Sequence, residues 1–201
     1  MATLALAGGF QLTDHLLNEI TQHYGAAART RAEQWRDMIN QGTALPESEK
    51  LARVNAFFNR LPFLSDIEHW DKEDYWATPI EMIASDGGDC EDFSIGKYIT
   101  LKEMGVPESR MRLTYVKALR LNQSHMVITY FPTPDADPLV LDNLIELIAP
   151  ASQRLDLLPV YSFNGEGLWL AKARGAGQRV GGSDRIGLWR DLMTRMHEEQ
   201  Q

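Results

Sequence analysis

The hydrophobic pattern of this chain changes period once. Before Gly105 the apolar residues recur three and four apart, as on helix faces; from Met111 they alternate, as on strands. Helices first and antiparallel strands later make an α+β fold. Thr13 or Asp14 can cap a first helix that carries Leu16, Leu17, Ile20 and Tyr24. A second, over 27–40, turns Trp35 and Met38 inward, with Gly42 past its end. Pro46 and Glu47 open a third, whose buried stripe is Leu51, Val54, Phe57, Phe58 and Leu61. Beyond the turn Asp86-Gly87-Gly88, a helix starts at Asp89-Cys90 and stops at Gly105, burying Phe93, Ile95, Ile99, Leu101 and Met104. Strands are expected over 111–119, 125–131 and 139–142, with the proline-rich segment 132–138 as a turn, and two more near 160–163 and 168–171. Residues 175–182 read as a loop and 186–196 as an amphipathic C-terminal helix.

With 201 residues and no internal repeat, the pattern fits one domain: helical over 11–62, a catalytic core over 63–172, and a tail and helix over 173–201. A net charge of -8 argues against nucleic acid or an anionic membrane as the main partner. No run approaches the roughly 18 apolar residues of a membrane span. The opening ten residues are apolar but lack a basic flank and are too short for a full signal peptide. The chain is then either cytoplasmic or numbered from beyond a removed signal.

The single cysteine excludes an internal disulfide and a multi-cysteine zinc site. Cys90 is therefore either an inert buried thiol or a reactive one. Its place in the first turn of a helix favours reactivity, because unpaired N–H groups and the macrodipole stabilise a thiolate. Its neighbours oppose this: Asp89, Glu91 and Asp92 surround one thiol with three carboxylates, and like charge raises its pKa. Two readings follow. Asp89 is a good N-cap and acids suit a first turn, which explains the residues but leaves the thiol suppressed. Alternatively a bound cation neutralises them, and hard oxygen ligands suit Ca²⁺.

A thiol nucleophile needs a base within reach, and the base needs an orienting partner. Of five histidines, His15 and His23 fall in N-terminal helices, His69 in a loop and His197 near the end, whereas His125 opens the apolar strand His125-Met126-Val127-Ile128. If Phe131 pairs with Ala136 across the turn, His125 faces Asp142 directly; if it pairs with Pro138, His125 faces Leu144 and is diagonal to Asp142. Both registers put the two side chains on one face, and a shift of one residue separates them. The alternative is a surface histidine and an Asp142-Asn143 pair that merely ends a strand.

Trp76-Ala77-Thr78-Pro79, Gly87-Gly88-Asp89-Cys90-Glu91-Asp92, Ser124-His125-Met126-Val127 and Val140-Leu141-Asp142-Asn143 together resemble the bacterial transglutaminase-like cysteine proteinases, from about Phe57 to Trp169. Papain-like enzymes place their histidine roughly 130–150 residues after the cysteine; the step here is far shorter. The resemblance implies a papain/transglutaminase-like core, with the nucleophile helix packed on an antiparallel sheet. It implies a calcium-dependent endopeptidase with Cys90, His125 and Asp142 as triad and Asp89, Glu91 and Asp92 near the ion. Its expected substrate is a large surface adhesin, cut near its N-terminus to release cells from biofilm. Its expected controller is an inner-membrane receptor that senses cyclic di-GMP, and its expected location is the periplasm. The Cys90 N–H is one oxyanion donor in such a site; Trp76 is a candidate second, though core packing is the ordinary role for that side chain. A transglutaminase or deamidase with the same triad, and a non-catalytic calcium-stabilised binding module, are the competing readings.

Overall fold

The computed structural model describes residues 12–170 and 177–201; the apolar start and the predicted strand end at Ala171 lie outside them. Helix α1 (Asp14–Tyr24) is capped by the Thr13 side chain, which accepts from the Leu16 N–H, and buries Leu16, Leu17 and Ile20. Tyr24, expected inside, is exposed: it closes the last turn, where Gly25 redirects the chain into α2 (Ala26–Gly42). That helix runs on through Gly42 and seats Trp35 in the core, its indole N–H on Thr100 Oγ1 at 2.9 Å. Helix α3 (Glu47–Phe58) buries the predicted stripe as far as Phe58. Two short helices follow that the periodicity did not reveal, α4 (Asp66–His69) and α5 (Pro79–Ser85), so His69 ends a helix rather than lying in a loop. Four and seven residues are too few for a 3.6-residue period to register.

Helix α6 (Cys90–Glu103) is the centre of the fold, and every residue from Asp92 to Leu101 is buried. A helix covered on all sides needs no polar face. It packs against α3, α5 and the sheet. Gly96 permits the approach of α3, because a Cβ there would lie 2.4 Å from the Phe58 ring.

The sheet strands are β1 (Met111–Ala118), β2 (Gln123–Tyr130), β3 (Leu139–Leu141), β4 (Ala149–Pro150), β5 (Leu157–Asn164), β6 (Gly167–Leu170) and β7 (Gln178–Gly181). They stand in the order β4-β3-β2-β1-β5-β6-β7, every pair antiparallel. Met111, Leu113, Met126 and Ile128 join the helical core, while Val116, Val127 and Val140 form a small second cluster. Strand β7 corrects the expected loop: this glycine-containing segment is recruited by pairing with β6, which no local pattern announces. Helix α7 (Gly187–Glu198) then covers the core with Trp189, Leu192 and Met196. The result is the expected α+β fold, with the cysteine helix packed on an antiparallel sheet.

Candidate functional site

Helix α6 starts at Cys90 for local reasons. Asp89 is the N-cap, its side chain accepting from the Glu91 N–H at 3.2 Å, and Asp92 reaches back to accept the Asp89 N–H at 3.2 Å. The turn before it is pinned to the preceding segment, since Leu64 N–H donates to the Gly88 carbonyl at 2.9 Å. Position 88 takes no side chain, as a Cβ there would sit 2.4 Å from Asp92 Oδ2.

Cys90 is half-buried, and its thiol donates to Glu91 Oε2 at 2.7 Å, while the Met126 amide also bonds the sulfur. Burial pushes the thiol pKa far up, and the charges of Glu91 and Asp89 add to it; only the Met126 amide pulls it down. The thiol expected to be caught between helix terminus and flanking acids is therefore suppressed, by burial first and by the acids in addition.

Residue 125 adjoins that amide. The β2–β3 ladder pairs Ile128 with Leu141, the same register as Phe131 opposite Pro138, so its continuation sets His125 across from Leu144 and diagonal to Asp142. The His125 ring bonds Asp142 Oδ1 through Nε2 at 2.8 Å, and the two residues are 2% and 1% exposed. Burial alone would raise the Asp142 pKa. Hydrogen bonds from His125, the Leu144 N–H (2.9 Å) and Arg154 outweigh it and hold the carboxyl down at about 2. An ionised carboxylate only accepts, so Nε2 carries the proton and Nδ1 is left to accept one.

A folded-state pKa below the unfolded value stabilises the fold above the unfolded value, and that stability is lost as pH falls through the folded one. Stability from Asp142 should therefore disappear between about pH 4 and pH 2. In urea titrations across that range the wild type should converge toward Asp142→Asn; parallel curves would show that the pair contributes nothing pH-dependent.

The acidic residues divide in a way the linear motif does not suggest. Carboxylate oxygens of Asp66, Asp89 and Asp92 lie within 4.8 Å of one another, whereas Glu91 groups with Asp89 and the Cys90 sulfur. Asp66, at the start of α4, is buried; Oδ2 accepts the Tyr75 N–H at 2.6 Å and Oδ1 has no hydrogen-bond partner. Asp92 accepts the Ala77 N–H at 2.7 Å and is 1% exposed. Burial, with mutual repulsion, pushes Asp89 up to about 9 and Asp92 up to about 8, and raises Asp66 as well. Hard oxygen donors crowded until they retain protons, one oxygen unsatisfied, are a donor set that fits a divalent cation. Asp66 carries no sequence signal: one acid among several in 65–74, it reaches the cysteine turn only through folding. Trp76 is buried, stacked on Phe163 with ring centroids 5.8 Å apart.

The sequence profile of the bacterial transglutaminase-like cysteine proteinases (BTLCP) matches residues 21–157, and the chain belongs to that family; it is a cysteine peptidase. Among solved structures it is similar to LapG of Legionella pneumophila, at 44% identity and TM-score 0.80 over 91% of this chain and 96% of that one. An EGTA-treated LapG from the same organism superposes with TM-score 0.81 (44% identity, 90% and 96% covered). A calcium-bound form gives 0.78 (44% identity, 90% and 98% covered). No curated protein matches the chain significantly.

Proposed function

We propose that this chain is a calcium-dependent endopeptidase with Cys90 as nucleophile, His125 as general acid and base, and Asp142 as the group that orients the imidazole. The observation that carries this reading is the buried His125–Asp142 pair, one residue from the amide that bonds the only thiol in the chain. His125 Nδ1 takes the thiol proton, the Cys90 thiolate attacks the scissile carbonyl, and the Cys90 N–H in the first turn of α6 meets the developing oxyanion. His125 gives that proton to the leaving amine through Nδ1, then takes one from the water that releases the acyl group from Cys90. Asp142 keeps Nε2 protonated throughout and stabilises the transient imidazolium.

Asp66, Asp89 and Asp92 are the residues we assign to Ca²⁺, with Glu91 at the edge of the group; similarity to the calcium-bound LapG supports the choice of ion. When bound, calcium lets these carboxylates stay ionised together and offsets the repulsion they exert on the thiolate. Resemblance to the family further supports a large surface adhesin as substrate, cleavage near its N-terminus with release of cells from biofilm, a periplasmic location, and control by an inner-membrane receptor for cyclic di-GMP. No helix among the described residues is long and apolar enough to cross a membrane.

Alkylation of Cys90 by iodoacetamide between pH 5 and 9 tests the site without a substrate. With calcium, labelling should be fast near neutral pH; EGTA should slow it about tenfold or more, because the thiol is then suppressed by its carboxylates. Slow labelling with a midpoint near the free-thiol value of ~8.5, unmoved by EGTA, would remove the calcium-activated thiolate. Cutting of an adhesin fragment with no ammonia released separates a peptidase from a transglutaminase or deamidase.

A further inference from the structure

Asp142 has a second partner that the triad does not require. Its Oδ2 accepts Arg154 Nη2 at 2.6 Å, with the two side chains 5% and 0% exposed. Arg154 is itself anchored by a fork to Asp156, Nε to Oδ1 at 2.9 Å and Nη2 to Oδ2 at 2.8 Å. From α6, Lys97, two turns beyond Cys90 and 1% exposed, faces the same carboxylate; burial lowers its pKa to about 7 although Asp142 opposes this, so it too titrates near neutral pH. The charged and titratable groups facing this carboxylate are thus His125 from β2, Lys97 from α6, and Arg154 and Asp156 from the segment before β5.

A carboxylate held by one bond can swing about its Cβ–Cγ axis. Here Arg154 at Oδ2 and the Leu144 N–H at Oδ1 leave one plane, in which Oδ1 meets Nε2. The guanidinium also shares the carboxylate's charge, so less of it remains to stabilise an imidazolium. We propose that Arg154 is a positioning residue of the peptidase: it fixes the Asp142 carboxylate against His125 and sets the pH range over which the imidazole cycles. This rests on the triad reading of Cys90, His125 and Asp142.

The test uses the full chain with Ca²⁺ and the variants Arg154→Gln, Arg154→Lys and Asp156→Asn. It compares kcat and KM on an adhesin N-terminal fragment across pH with the downfield NMR resonance of the His125 Nε2 proton, assigned by its loss in His125→Ala. In Arg154→Gln, kcat should fall by about 10–100-fold with KM nearly unchanged, as for a small misplacement of catalytic groups. The alkaline limb of kcat/KM should move up by about half a pH unit or more, because the carboxylate's whole charge now acts on the imidazolium. The Nε2 resonance should broaden or shift. Arg154→Lys should keep the limb near its wild-type place and recover part of kcat; Asp156→Asn should fall between. An unmoved limb and an unchanged Nε2 resonance in folded Arg154→Gln would overturn the proposal. If that variant does not fold, an unmoved limb and an unchanged Nε2 resonance in folded Asp156→Asn overturn it. Should the wild type fail to cleave while the Nε2 resonance still depends on Arg154, positioning stands and the peptidase reading falls.

Discussion

Cys90→Ala should abolish cleavage of an adhesin fragment, lowering kcat by at least about 10⁴-fold, and should leave a folded protein. Removing the nucleophile of a triad costs nearly as much as removing the whole set, since the steps pass through one covalent intermediate. His125→Ala should be similar in size. The fold should tolerate the cysteine change: the side chain is small and half-buried, and its partners among the described residues are Glu91 and the Met126 amide. Unfolding free energy should stay within about 1 kcal/mol of wild type. Residual cleavage above about 1% in the Cys90→Ala protein, with contaminating protease excluded by a mock purification, would remove Cys90 from the chemistry.

Asp92 gives the second large effect. In Asp92→Ala the N–H groups of Ala77 and Asp89 lose their acceptor, and each buried unsatisfied donor costs about 1–3 kcal/mol, so the calcium-free variant should lose about 2–6 kcal/mol. Asp92→Asn keeps an acceptor for one of these N–H groups but turns its NH2 toward the other. Without calcium it should therefore lose less than Asp92→Ala, about 1–3 kcal/mol, and it should also lose most of the stabilisation that calcium confers. The wild type supplies the control through linkage. Carboxyls whose folded pKa is raised contribute stability that is complete below the unfolded value and is lost as pH rises through the folded one. With Asp92 at about 8 and Asp89 at about 9, the calcium-free protein should melt progressively lower between pH 5 and pH 9. Calcium should restore most at the alkaline end, where the carboxylates bind it without first releasing a proton. Melting curves in EGTA that are flat over this range would contradict the crowded-carboxylate account.

Much of the framework was legible because its causes are local. Helices α1 to α3, α6 and α7 follow from apolar spacing and from caps at Thr13 and Asp89, and β1 to β3 from alternation bounded by Gly105-Val106-Pro107 and the proline turn. The repulsion of Asp89 and Glu91 on Cys90 is also a matter of adjacency, so residues 89–91 announce it without a fold, whereas Asp92, expected beside the thiol as well, turns to the Ala77 and Asp89 N–H groups. Residues that depend on distant partners were not legible. Asp66 comes to the cysteine turn from α4, Arg154 comes to Asp142 from the far side of β4, and Lys97 looks like a surface lysine until α6 is enclosed. The strand over 178–181 exists only because β6 offers it an edge.

The sequence by itself narrowed His125 and Asp142 to a choice of registers, since strict side-chain alternation puts them on one sheet face in two registers and separates them if the pairing shifts by one residue. It also determined that the only thiol heads a helix among carboxylates. Only the tertiary structure decided which register holds, with Ile128 paired to Leu141, and that Glu91 turns to the thiol while Asp66 joins Asp89 and Asp92. The division has one physical reason. Periodicity and capping act over a few residues of chain, whereas the pairing of buried charges is settled by burial itself, which leaves each polar atom only the partners that folding brings within reach.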